Sequence, residues 1–164
     1  MPRINLQSDN RKVSFTATIL TVLFGIIIFV VPSLLINIIP QSAIGNFFIN
    51  HTYYAYVFLP IILYIIITGF YYYSIKIDTY IMKITSYRTI SGLLKARNYI
   101  EVPHDMLRQY SFFNRPFTAN KTLMLKIQDV NGKIIIKRFN ISFLSKIEER
   151  RISKVLENII AKNS

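Results

Sequence analysis

The sequence predicts an α-helical membrane hairpin followed by a basic α+β domain, and three observations carry that prediction. No Lys, Arg, Asp or Glu occurs from Val13 to Ile75. After Ile75 the continuous apolar runs give way to short alternating segments broken by Gly, Pro and Asn. The chain then closes on an apolar stripe at helical spacing: Ile152, Val155, Leu156, Ile159 and Ile160. A charge at the bilayer centre costs roughly 2.5 to 3.5 kcal/mol, whereas each Leu, Ile, Phe or Val contributes about −0.3 to −0.6 kcal/mol. A charge-free stretch of this composition favours lipid over water.

Residues 1–12 read as a cytoplasmic N-terminal segment carrying Arg3, Arg11 and Lys12. The first span covers 13–39, well above the ~20 residues that cross the hydrocarbon core, and Pro32 is expected to kink its far end. Its apolar stretch is too long for a cleaved signal peptide, whose core has about 7–15 residues. An extracytoplasmic loop, 40–53, follows, with Pro40 to Asn46 read as a turn. The second span covers 54–75, with Pro60 in its early turns, where missing hydrogen bonds are tolerated. Phe47, Phe48, Tyr53, Tyr54 and Tyr56 would form one interfacial aromatic belt, and Tyr71, Tyr72 and Tyr73 the other. Basic residues flank the pair of spans and are absent between them, so both termini are expected in the cytoplasm. No ionisable residue lies at membrane depth, which argues against an ion path.

The remaining segment, 76–164, is long enough for one small core. It holds 17 of the 20 basic residues and 7 of the 8 acidic ones in a chain of net charge +12. That balance favours anionic partners. Ile75, Ile77, Thr79 and Ile81 alternate with Tyr80, Met82 and Ile84 as one strand. Ser86 to Ile90 is a second, Tyr99 to Val102 a third that stops at Pro103, and Leu107 to Phe113 a fourth. Leu123 to Gln128 and Ile134 to Phe139 form a hairpin around Asp129-Val130-Asn131-Gly132. A two-residue Asn131-Gly132 turn would set Lys126 opposite Lys137. A four-residue loop would pair Ile127 with Ile134 and Leu125 with Ile136, and is preferred because the apolar rows stay together. A helix over about 145–161 begins at a capping box, Ser145 with Glu148, and its stripe is expected to pack on the sheet.

Catalytic, cofactor-binding and metal-ligating residues are not identified. Cysteine is absent, which removes thiolate chemistry. The two histidines, His51 and His104, fall on opposite sides of the membrane in this topology, and His104-Asp105 reads as a solvated turn. The five glycines are scattered and build no phosphate-cradling loop. The expected protein is therefore not an enzyme. Lys76, Lys83, Arg88, Lys95 and Arg97 follow the membrane exit and are candidate membrane-facing residues; a basic residue near an anionic leaflet contributes about 1 kcal/mol. The same residues would also serve topology and solubility. The nearest approach to a nucleic-acid platform is Tyr110, Phe112, Phe113, Arg115 and Phe117, which fit a domain core as well. Membrane lipids and a protein partner, or a second copy, are the expected partners; nucleic acid and a small-molecule substrate are not.

Two stretches carry a resemblance. Ile100-Glu101-Val102-Pro103-His104-Asp105-Met106-Leu107-Arg108-Gln109-Tyr110 reads as strand, short turn, strand. Asn140-Ile141-Ser142-Phe143-Leu144-Ser145-Lys146-Ile147-Glu148 reads as a last strand handing over to the helix. In this order, after two spans, the chain resembles small bacterial membrane proteins with a cytoplasmic pleckstrin-homology-like domain. Heavy use of Ile, Asn, Lys and Tyr is similar to that of AT-rich bacterial genomes. The resemblance implies a curved antiparallel sheet, or split barrel, closed by a C-terminal helix, and location in the bacterial cytoplasmic (inner) membrane. In such proteins a strand often precedes the first span; here about a dozen residues do. The fold serves mostly for binding, which implies docking of a protein partner or of the anionic inner leaflet. A different expectation makes the hairpin the binding element, as in an immunity protein or a small accessory subunit of a membrane complex. An oligomeric pore is the least favoured.

Overall fold

The computed structural model describes residues 5–89 and 98–163, with the side chains of residues 54 and 55 left aside. The chain forms two compact units, one running up to Phe15 and resuming from Phe70 onward, the other spanning Thr16–Gly69. The first unit opens with a strand that the sequence reading did not contain. In β1 (Leu6–Asp9), Leu6 and Ser8 are buried while Gln7 and Asp9 are exposed. Four residues are too few for their alternation to stand out in the sequence. The strand makes this stretch, expected as an N-terminal segment without a strand, part of a sheet.

A helical run then extends from Arg11 to Ile38. It comprises α1 (Arg11–Gly25), a π turn (Ile26–Val30) and α2 (Val31–Ile38). The disturbance expected at Pro32 takes the form of this π turn, in which the Val31 N–H bonds to the Ile26 carbonyl, five residues back. Pro32 has no N–H to donate to Ile28, so widening the preceding turn relieves the ring's steric demand. The expected turn at residues 40–46 is mostly helix: Ser42 accepts from the Gly45 N–H at 2.9 Å and caps α3 (Ala43–Asn50). The next helix, α4 (Tyr53–Thr68), ends at Gly69, whose φ of +64° breaks it. Its 16 residues span about 24 Å, short of the predicted second span. Among the described residues, Arg11–Ile38 is the helix long and apolar enough to cross a membrane.

Beyond Gly69 the chain returns to the first unit. Tyr71, Tyr72 and Tyr73 are not a helix-end belt; they begin β2 (Tyr71–Ile77), and Tyr73 is fully buried. The strand expected over residues 75–84 is two strands. The chain turns at Asp78-Thr79-Tyr80 into β3 (Ile81–Arg88), which pairs Ile77 with Met82 and Ile75 with Ile84. The buried set thus passes from odd to even numbers across the turn, a phase change that marks a hairpin. Next come β4 (Asn98–Pro103), a 3₁₀ turn at His104–Met106, β5 (Leu107–Asn114), β6 (Asn120–Gln128), β7 (Ile134–Ser142) and α5 (Lys146–Asn163).

The architecture is α+β, with two antiparallel sheets. One has the order β1-β2-β3-β4 and the other β5-β6-β7. Tyr73, Ile75, Ile77, Met82 and Ile84 of the first sheet share a core with Leu107, Leu123, Leu125, Phe139 and Ile141 of the second. Ile152, Leu156 and Ile159 of α5 complete it, with Val155 and Ile160 partly buried beside them, as the stripe predicts. The capping bond is present, Ser145 Oγ accepting from the Glu148 N–H at 3.2 Å.

Neither register considered for the β6–β7 hairpin is adopted. Ile127 lies opposite Ile135, and Leu125 opposite Lys137. The Gly132 N–H bonds to the Asp129 carbonyl at 2.8 Å, the Asp129 N–H to the Lys133 carbonyl at 2.9 Å, and Gly132 has φ +76°. This is a three-residue loop, a type I turn followed by a left-handed glycine. That glycine is what shifts the register by one from the four-residue alternative.

Candidate anion-binding face

Alternation along β2 and β3 sends Tyr73, Ile75, Ile77, Met82 and Ile84 into the core, so the intervening residues form the sheet's other face. There Tyr72 lies opposite Tyr87, Ser74 opposite Thr85, and Lys76 opposite Lys83. Tyr99 of β4 extends the Ser74–Thr85 row, and Glu101 extends the lysine row. Arg11, the first residue of α1, joins them. Arg11, Tyr72, Ser74, Lys76, Lys83, Thr85, Tyr87 and Tyr99 line an open groove of about 390 Å³.

The two lysines have different environments. Lys83 Nζ pairs with Glu101 Oε1 at 2.7 Å, and the Tyr99 hydroxyl donates to the same carboxylate. The hydrogen bond to Glu101 holds the Lys83 ammonium above its usual range, and Lys83, then Tyr99, holds Glu101 below the usual carboxylate range. Lys76 is exposed, lies between Gln7 and Lys83 in register, and has no carboxylate partner among the described residues. Like charges directly opposite in a sheet are destabilising. The rings of Tyr72 and Tyr87 lie 4.7 Å apart, giving the groove an aromatic wall beside its cations.

Of the five basic residues singled out in the sequence, the structure brings Lys76 and Lys83 together. Arg88 is paired with Tyr71 in register, which puts it on the opposite face at the end of β3. Lys95 and Arg97 lie outside the described residues. Arg11 was assigned to the N-terminal segment, and no local signal in the sequence links it to Lys76; the link comes from β1 pairing with β2. The aromatic platform considered for nucleic acid is divided. Tyr110 and Phe112 pack against the core in a T-shaped pair with centroids 6.0 Å apart, while Phe117 is 96% exposed.

A buried polar junction holds the groove's floor in place. Asn10 Nδ2 donates to the Tyr71 carbonyl at 2.9 Å and to the Ser142 carbonyl at 2.8 Å, and Asn10 Oδ1 accepts from the Tyr73 N–H at 2.8 Å. Ser142 Oγ accepts from the Tyr71 N–H at 2.7 Å and donates to Asn120 Oδ1. Tyr73 OH and Ser8 Oγ lie 3.3 Å apart, and Ser8 donates to Glu148 at 3.3 Å. Burial raises the Tyr73 phenol to about 12. One asparagine thus ties β1, β2 and β7 together where α1 begins.

His104 does not sit in a solvated turn. It is partly buried; its N–H bonds to the Tyr80 carbonyl at 3.0 Å, and Asn163 Nδ2 donates to its carbonyl at 2.6 Å. Its Nε2 is buried without a hydrogen-bond partner among the described residues. Burial holds the imidazole below its usual pKa. Asp105 is exposed. No protein-family model, curated protein or solved structure matches the chain.

Proposed function

We propose that the chain is a non-enzymatic protein of the bacterial cytoplasmic membrane, in which residues 16–69 tether a pleckstrin-homology-like docking module to the inner leaflet. The observation that carries this reading is the place of the helical segment in the sheet. It leaves from the end of β1 and returns into β2, and those strands are antiparallel neighbours. A segment that leaves and rejoins one sheet crosses a bilayer an even number of times. If Arg11–Ile38 crosses, α4 is the helix left to bring the chain back. A span shorter than the hydrocarbon core is accommodated by local thinning and by snorkelling of flanking side chains, at fractions of a kcal/mol per Å. Phe24 and Phe58 meet edge to face at 6.0 Å, so α4 lies beside the first run.

The pleckstrin-homology-like assignment is supported by four antiparallel strands, then three, then a C-terminal helix inserted into their common core. It is supported too by β1, a strand of the kind that often precedes the first span in such proteins. Binding is supported by the cations, hydroxyls and aromatic rings that the groove gathers.

The natural chain has no cysteine, so single-cysteine labelling tests the topology cleanly. Asn46 in α3 and Asn131 at the β6–β7 turn are both exposed. Asn46→Cys is expected to react with a membrane-impermeant maleimide in intact cells, and Asn131→Cys only after lysis. Protection of Asn46→Cys until lysis would overturn the two-span reading.

A further inference from the structure

We infer that the groove formed by Arg11, Lys76 and Lys83 takes the phosphate-bearing headgroup of an anionic phospholipid from the leaflet in which its own chain is anchored. The inference rests on the two-span reading and adds to it a ligand chemistry and a site. Three features of the groove select that ligand.

Its charge is unbalanced in a specific way. Glu101 offsets Lys83, but Arg11 and Lys76 have no carboxylate partner among the described residues. Lys76 and Lys83 face each other directly across the β2–β3 ladder, an arrangement that weakens the sheet unless an anion is shared between them. Asp9 lies opposite Ser74 on the same face, where its carboxylate accepts from the Arg11 backbone N–H at 3.2 Å; set with Glu101 against Arg11, Lys76 and Lys83, it leaves the face one positive charge in excess. The donors are also varied. The hydroxyls of Tyr72, Ser74 and Thr85 around the cations offer neutral hydrogen bonds to phosphate oxygens, while Arg11 can supply a bidentate fork.

The third feature is position along the chain. Arg11 begins α1 and stands two residues before Val13, the first residue of the charge-free stretch, an axial rise of about 3 Å in a helix. A cation so close to the start of a span lies at headgroup depth. A soluble anion would not need the site to be there.

The experiment uses the full-length protein in nanodiscs containing phosphatidylcholine and phosphatidylglycerol in equal amounts. Native mass spectrometry then counts the lipids that stay bound on gentle release. The wild type is expected to retain phosphatidylglycerol over phosphatidylcholine by roughly fivefold, given the one positive charge in excess near the leaflet. The Arg11→Gln/Lys76→Gln variant is expected to show no preference. A Lys146→Gln/Arg150→Gln variant, altered on exposed positions of α5, keeps the wild-type preference. Lys76→Gln alone should not lower the melting temperature, because it removes a like-charge pair; this separates lost binding from lost folding.

No preference in the wild type, or a preference that survives Arg11→Gln/Lys76→Gln, overturns the inference. So does displacement of the retained lipid by millimolar inorganic phosphate, which would assign the groove to a soluble anion. Failure of the two-span reading shows separately, as protection of Asn46→Cys from the impermeant maleimide in intact cells until lysis.

Discussion

Asn10 concentrates more of the fold than any neighbouring residue, because its side chain makes three hydrogen bonds to three backbone groups in a site where it is only 5% exposed. Truncating it leaves buried partners without water or protein to satisfy them. Asn10→Ala is expected to destabilise the protein by about 3 kcal/mol, read as a fall in the melting temperature of the full chain in detergent. His104 gives a pH dependence whose sign follows from its burial. The folded state holds the imidazole below its ordinary value of 6.5, so the unfolded chain takes up the proton first. The stability this contributes is complete above about pH 6.5 and is lost as pH falls toward the folded pKa. Melting between pH 7.5 and pH 5 should therefore show a decline that His104→Gln flattens. His51→Gln serves as the control for the chain's other histidine.

Glycines set the geometry of two elements. At the β6–β7 turn, Gly132 holds φ +76° and an added Cβ would lie 3.8 Å from Gln128 Nε2, an ordinary contact, so a side chain there meets backbone strain and no clash. Gly132→Ala should cost about 1 kcal/mol and leave the lipid groove unchanged, a result read by melting together with the lipid count. At α3 the constraint is contact. A Cβ on Gly45 would stand 2.5 Å from the Ile39 carbonyl oxygen, so Gly45→Ala must shift the first turn of α3 away from the α2 terminus. The expected outcome is faster proteolysis of the α2–α3 junction with the melting of the sheet unit retained. The β2–β3 hairpin shows why element boundaries were hard to read. Ile75 and Ile77 followed by Ile81 look like one continuing alternation, yet the buried residues after the turn are Met82 and Ile84.

At the scale of the whole molecule, the sheet unit is discontinuous in sequence. A fragment starting at residue 76 lacks β1 and most of β2, and with them Tyr73 and Ile75, both fully buried. Such a fragment is expected to stay unfolded. Joining residue 10 to residue 70 through a short Gly-Asn turn should instead give a soluble, cooperatively melting domain, because β1 and β2 are already adjacent and antiparallel. Circular dichroism of the two proteins side by side checks this. Equal folding of both would mean that β1 contributes nothing to the core, contrary to the burial of Leu6 and Asn10.

The sequence by itself determined the charge-free apolar stretch, the strands that carry continuous alternation, the capped C-terminal helix and the excess of basic residues, because each is set by composition or by a period within one segment. Tertiary structure alone decided that Leu6 to Asp9 is a strand, that the second helix stops at Gly69, and that Arg11 meets Lys76 and Lys83. The first and the last depend on pairing between residues more than sixty positions apart. A four-residue strand has no period long enough to show, and a buried asparagine looks like any turn residue until its three partners surround it.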